Sequence, residues 1–154
     1  MTQSLAAAST TRAVGIDPRG ARFAAGITAV VLALTLVLHA SAVGVVLLAL
    51  QTVVFALGAF RGPSATPYAT VYRRFVRPRL GPPTELEDVR PLRFAQSVGL
   101  GFSVVALIGL AVVPVVGVLA IAAAFVAAFL NAVFGYCLGC EVYLLLRRAL
   151  PATP

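Results

Sequence analysis

The sequence predicts an all-α membrane protein: four transmembrane helices arranged as two parallel-repeat hairpins, with a short interfacial helix in the central loop. Three observations lead there. First, the 154 residues are 60% hydrophobic and only 11% charged, whereas a soluble domain carries about a quarter charged residues. A chain this apolar cannot cover its own surface with polar groups, so lipid is the expected solvent. Second, all twelve basic residues are arginine, and they fall in short blocks between apolar runs. That is the pattern of membrane topology, not of a nucleic-acid surface. Third, Asp17-Pro18-Arg19-Gly20-Ala21-Arg22-Phe23-Ala24 returns as Asp88-Val89-Arg90-Pro91-Leu92-Arg93-Phe94-Ala95, a shared D-x-R-x-x-R-F-A.

Taken in order, residues 1–16 are small, polar and punctuated by Pro and Gly, and read as a mobile cytoplasmic tail. A single transmembrane domain over 17–148 follows, built of repeats at about 17–60 and 88–146 joined by a cytoplasmic linker, 61–87. Residues 149–154 form a C-terminal tail. The first apolar run starts near Arg22 and stops at His39-Ala40-Ser41; the second covers about Val43 to Phe60. Ala40-Ser41-Ala42 resembles a signal-peptide cleavage site, but the tail before it is long and another apolar run follows at once. The third run spans Phe94 to Val113 and stops at Pro114. The fourth runs from Val115 to Leu146, too long for one untilted span at about 1.5 Å per residue. Breaks are therefore expected at Gly135 and Gly139.

Every arginine lies at the termini or between the second and third runs. The positive-inside rule then places both termini and the central loop in the cytoplasm of a bacterial inner membrane. Two hairpins entering from the same side make a parallel repeat about an axis along the membrane normal. Gln51 and Asn131 take similar places in the second and fourth spans, and Leu57-Gly58 matches Leu138-Gly139. In the linker, Tyr68, Val71, Tyr72, Phe75 and Val76 recur at helical spacing. Arg73, Arg74, Arg77 and Arg79 take other positions, facing the anionic inner leaflet as a topology anchor or lipid contact.

The chemistry-bearing stretch is Asn131-Ala132-Val133-Phe134-Gly135-Tyr136-Cys137-Leu138-Gly139-Cys140-Glu141. Its two cysteines are the only ones in the chain. Spaced C-x-x-C on a helix they share one face, at a separation a disulfide tolerates. A helix restarting near Cys137 would favour its thiolate, making Cys137 the nucleophile and Cys140 its resolving partner, with Glu141 beside them. Both cysteines equally suit a packing role. Gln51 and Asn131 read as interhelical hydrogen-bond partners, worth about 1 kcal/mol, or as groups lining a pathway. Asp17 and Asp88 read as helix caps or partners of the repeat arginines. No metal is expected: two thiolates and Glu141 supply at most three ligands, and His39 belongs to the opposite side. Haem attachment needs a histidine where Glu141 stands, and no phosphate-binding glycine loop exists, so no cofactor is indicated.

The stretches Asp17-Pro18-Arg19-Gly20-Ala21-Arg22-Phe23, Arg77-Pro78-Arg79-Leu80-Gly81-Pro82-Pro83 and Phe134-Gly135-Tyr136-Cys137-Leu138-Gly139-Cys140-Glu141 together resemble a bacterial family of small integral membrane proteins, a domain of unknown function. The likeness runs from about Ile16 to Arg148, and Cys-Leu-Gly-Cys is its most specific element. Members are often encoded beside rhodanese-type sulfurtransferases and thioredoxin-like proteins, so the resemblance implies traffic in sulfur or thiols with such cytosolic partners. In size and helix count the chain is also similar to DoxX-like membrane proteins, without a shared motif. The expected function is thiol-redox or sulfur handling at a cytoplasm-facing C-x-x-C. Two alternatives stay open: a small sulfur-anion transporter, which at this size calls for a homodimer, or a non-catalytic membrane anchor for a cytosolic enzyme.

Overall fold

A computed structural model describes residues 15–149. The outer parts of both expected tails, residues 1–14 and 150–154, lie outside the described residues. A two-residue strand β1 (Gly15–Ile16) leads into α1 (Pro18–Val37) and α2 (Ala42–Phe60). The central loop contains α3 (Pro67–Val71), which continues as one π turn (Tyr72–Val76) and one 3-10 turn (Arg77–Arg79). A second short strand, β2 (Glu87–Asp88), precedes α4 (Val89–Val112), α5 (Pro114–Phe134) and α6 (Leu138–Ala149). Helices α1, α2, α4 and α5 are each long and apolar enough to cross a membrane, and the chain is a multi-pass membrane protein.

Local chemistry sets the helix ends. Asp17 caps α1, its carboxylate accepting the Arg19 N–H at 3.0 Å, and Pro18 follows at the first helical position, where a missing N–H costs nothing. Asp88 caps α4 in the same way through the N–H of Arg90, also at 3.0 Å. Ser41 caps α2 by accepting from the Gly44 N–H. Pro114 ends α4 and opens α5, because proline cannot donate to the preceding turn. Helix α5 stops at Gly135, whose φ of +69° suits glycine. There the Gly135 N–H donates to the Asn131 carbonyl and the Tyr136 N–H to that of Leu130. This is the usual hydrogen-bonded stop of a helix at a left-handed glycine.

The spans pack as hairpins α1–α2 and α4–α5, crossed so that α1 lies on α5 and α2 on α4. Leu32, Leu48, Ala106 and Ile121 form the buried centre. Helices α4 and α5 meet at glycine: a Cβ on Gly109 would stand 2.5 Å from the Gly117 nitrogen. Without a hydrophobic drive between helices in lipid, such close backbone contact is what holds spans together. Large apolar side chains, among them Val30, Leu50, Val53, Ile108 and Leu119, face outward, the surface a bilayer wets.

At the end bearing the central loop, β1 pairs antiparallel with β2, Gly15 opposite Asp88 and Ile16 opposite Glu87. Two arginines in equivalent sequence positions complete the helix ends there. Arg22 donates to the carbonyls of Ala132 and Val133 in the last turn of α5, at 3.4 and 3.1 Å. Arg93 donates to those of Ala59 and Phe60 in the last turn of α2, at 3.0–3.3 Å. Each satisfies carbonyls that a helix leaves unpaired at its C-terminus.

Four expectations are corrected. Gly15 and Ile16 belong to a paired strand, not to a tail. The fourth apolar run is two helices, broken at Gly135 alone; Gly139 is helical, and its missing side chain lets α6 lie against Ala95 of α4. Gln51 sits mid-way along α2 whereas Asn131 is in the last turn of α5, so the two amides do not occupy matching places. Leu57-Gly58 closes α2, while Leu138-Gly139 opens α6.

Candidate functional site

A cavity of about 520 Å³ lies at the loop end of the bundle, walled by α1, α2, α4 and α5 and roofed by the central loop and α6. From the cap of α1 its lining runs from Asp17 to Thr28, twelve residues or about 16 Å of rise. The deep wall is built of small apolar residues, including Ala24, Ala25, Ala123 and Ala127. The hollow follows from that composition, since alanines on facing helices leave space that larger side chains would fill.

The helical stretch of the central loop forms the roof. Tyr68 donates its hydroxyl to Gln51 Oε1 at 2.8 Å. Tyr72 is 4% exposed, tilts against Phe23 with ring centroids 5.7 Å apart, and donates to Asp17 Oδ2 at 2.9 Å. Arg19 binds the same carboxylate at 3.1 Å through both Nε and Nη2. Its guanidinium also donates to the carbonyls of Leu80 and Gly81, so one ion pair fixes the start of α1 to the far end of the loop. Burial raises the Asp17 carboxyl, but the hydrogen bonds from Arg19 and Tyr72 outweigh it and hold the group below the usual carboxylate range. Burial, and then donation to Asp17, push the Tyr72 hydroxyl up.

The sulfur pair stands at the edge of this roof. Cys137 lies in the break between α5 and α6, and its carbonyl accepts the Glu141 N–H at 3.0 Å, which starts α6. Cys137 and Cys140 are joined as a disulfide, Cα atoms 5.2 Å apart. Cys137 lines the cavity together with Leu138, Gly139 and Val142 of α6. Helix α6 is pressed onto α4, where a Cβ on Gly139 would lie 2.7 Å from Ala95, and Tyr143 meets Phe94 with centroids 5.7 Å apart.

The expected site residues thus divide. Cys137, Asn131, Arg73 and Arg77 line one cavity. Cys140 is half-buried behind Cys137. Glu141 is exposed and outside the lining. Gln51 is buried under the roof and bonded to Tyr68. Arg74 and Arg79 are exposed on the outer surface, Arg79 donating to the Phe75 carbonyl. Sequence reasoning missed Asp17, Tyr68, Tyr72 and Gln96 as members of the site. Gln96 could have been found by the rule that drew attention to Gln51 and Asn131, an amide inside an apolar run. Its Oε1 and the Gln51 Nε2 are buried and without a hydrogen-bond partner among the described residues, and Gln96 lines the cavity.

A protein-family model described as a domain of unknown function, DUF4395, matches residues 16–148. No curated protein and no solved structure matches the chain.

Proposed function

The chain belongs to the DUF4395 family, and from that premise we propose that it is a membrane thiol-redox protein whose Cys137–Cys140 pair cycles between disulfide and dithiol. The observation that carries the reading is the place of the sulfur pair: Cys137 stands in the wall of the cavity at the start of α6, with Cys140 behind it. The positive end of the α6 dipole favours a thiolate at the first turn. Cys137 is then the exchanging sulfur and Cys140 resolves it. The arginine-bearing end, with the sulfur pair, faces the cytoplasm by the positive-inside rule, so thioredoxin-like proteins or sulfurtransferases of the cytosol are the partners in thiol or persulfide exchange. Arg73, Arg74, Arg77 and Arg79 lie against anionic headgroups of the inner leaflet. The matching caps of Asp17 and Asp88 and the reciprocal arginines Arg22 and Arg93 support a duplicated hairpin as the origin of the fold.

The test is maleimide trapping of both cysteines in intact membranes, before and after oxidant, from either side. Accessible thiols that convert reversibly to the disulfide are the expected result. Cysteines that stay unlabelled until the protein is denatured, under reducing conditions, would make the pair a packing feature. The anchor reading rests on the exposed arginines of the loop; it predicts that the Cys137→Ser/Cys140→Ser variant retains full function. A small-anion transporter finds Arg73 and Arg77 in the lining, but the alanine walls between offer an ion little in place of its hydration.

A further inference from the structure

Building on the thiol-redox reading, we propose that the cavity binds a quinone, the lipid-soluble two-electron carrier, and that bound quinone exchanges electrons with the Cys137–Cys140 pair. Four observations converge on this ligand. The hollow, about 520 Å³, falls within the size of ligand pockets, about 300–1,000 Å³. Its depth of about 16 Å along α1, within walls of alanine, suits a long apolar body, and an apolar hollow of this kind does not hold water well. A soluble thiol or an anion would leave that depth unused. A phospholipid acyl chain would fill it, yet gives no reason for a redox-capable sulfur at the rim.

The other two observations concern the polar end. Gln96 lines the cavity, and its amide lies over Gly58 of α2 with Oε1 buried and without a hydrogen-bond partner among the described residues. Turned from Gly58 into the cavity, that oxygen accepts from a hydroquinone O–H. After an amide turn, Gln96 Nε2 donates to a quinone carbonyl, so one side chain accepts both redox forms. Finally, Cys137 lines the cavity, so a two-electron carrier that enters the cavity from the lipid meets the sulfur pair on the side away from its cytosolic partners. A quinone is such a carrier.

The electron balance is complete with quinone as oxidant. The Cys137 thiolate adds to a ring carbon, forming a C–S bond and passing electron density to the ring oxygens. The Cys140 thiolate then attacks Cys137 Sγ; the S–S bond forms, the C–S bond breaks, and its electron pair goes to the ring. The two sulfurs lose two electrons, and the protons of the two thiols end on the two oxygens of the hydroquinone. The reverse sequence reduces the disulfide with hydroquinone.

The test uses the full chain in nanodiscs of phosphatidylcholine and phosphatidylglycerol, reduced and freed of reductant, with decyl-ubiquinone as probe. Free thiols and quinone absorbance are followed together, and oxidised glutathione serves as a cavity-independent oxidant. The expected result is one hydroquinone per disulfide. Ala127→Phe, which fills the deep wall, should abolish the quinone reaction and leave oxidation by glutathione intact. Gln96→Leu, close to isosteric and so safe for folding, should weaken quinone use about tenfold. If glutathione forms the disulfide but quinone does not, the quinone proposal fails and the thiol-redox reading stands. If quinone reacts equally in wild type, Ala127→Phe and Gln96→Leu, the cavity is not its site and the proposal fails. Thiols inert to both oxidants would overturn the redox reading and this inference together.

Discussion

Replacing Tyr72 with phenylalanine isolates the bond that fixes the roof. The change leaves the ring against Phe23 and removes only the 2.9 Å donation to Asp17. Hydrogen bonds to a charged group contribute about 1.5–3 kcal/mol. Asp17 keeps three bonds from Arg19, to its N–H, Nε and Nη2, so its charge is not abandoned and the lower end applies. A loss of about 1.5 kcal/mol is roughly a tenfold rise in the population with the roof detached. Amide hydrogen exchange over Pro67–Arg79 measures that opening directly, with the amides of α5 as internal reference, because local and global opening separate in such data. Exchange should rise about tenfold in the loop and stay constant in α5. A change of less than about twofold would refute the view that this bond, rather than ring packing, holds the roof.

Three other outcomes are expected. Lowering the pH should loosen the same roof: Asp17 is depressed in the folded protein, so its contribution is complete above the ordinary value of 3.8 and is lost as pH falls through the lower folded value; exchange measured across that window should show the loss, and Asp17→Asn should remove the pH dependence. Arg93→Ala, which removes two part-buried bonds, should destabilise the protein by about 2 kcal/mol and Arg22→Ala, whose bonds are exposed, by about 1 kcal/mol, read as thermal unfolding in nanodiscs; no change in either would deny them a capping role. Gly139→Val should push α6 off α4, since its Cβ would meet Ala95 at 2.7 Å; a shift of about 0.7 Å is needed to restore ordinary contact, and the expected readout is faster labelling of reduced Cys137.

The spans were legible because hydropathy is a property of composition along the chain. The α5 break was legible too: a run to Leu146 exceeds the bilayer, and Gly135 can adopt the left-handed stop. Gly139 misled because glycine has two uses in membranes, to end a helix and to admit a neighbour, and only the presence of Ala95 shows which. Gln51 and Asn131 misled because each is an amide before a phenylalanine, whereas position along the helix decides what an amide meets. Asp17 was readable as a cap from D-x-R alone. Its bond to Tyr72 was not, since 55 residues separate the partners. The cavity was the least legible feature: alanine on a span reads as close packing, and whether facing alanines touch depends on helix separation.

The reciprocal arginines bear on how the protein is made. During synthesis the first hairpin leaves the ribosome with the final carbonyls of α2 unpaired, and Arg93, which answers them, is 33 residues further on. Likewise β1 waits for β2, and Arg22 stands ready for an α5 that ends more than a hundred residues later. Neither half carries its own closing groups. The first pair of spans is therefore an unfinished part, and its last helix end is closed only when the second pair arrives. Severed between the halves, the two pieces should each be short-lived alone and should restore one another when produced together.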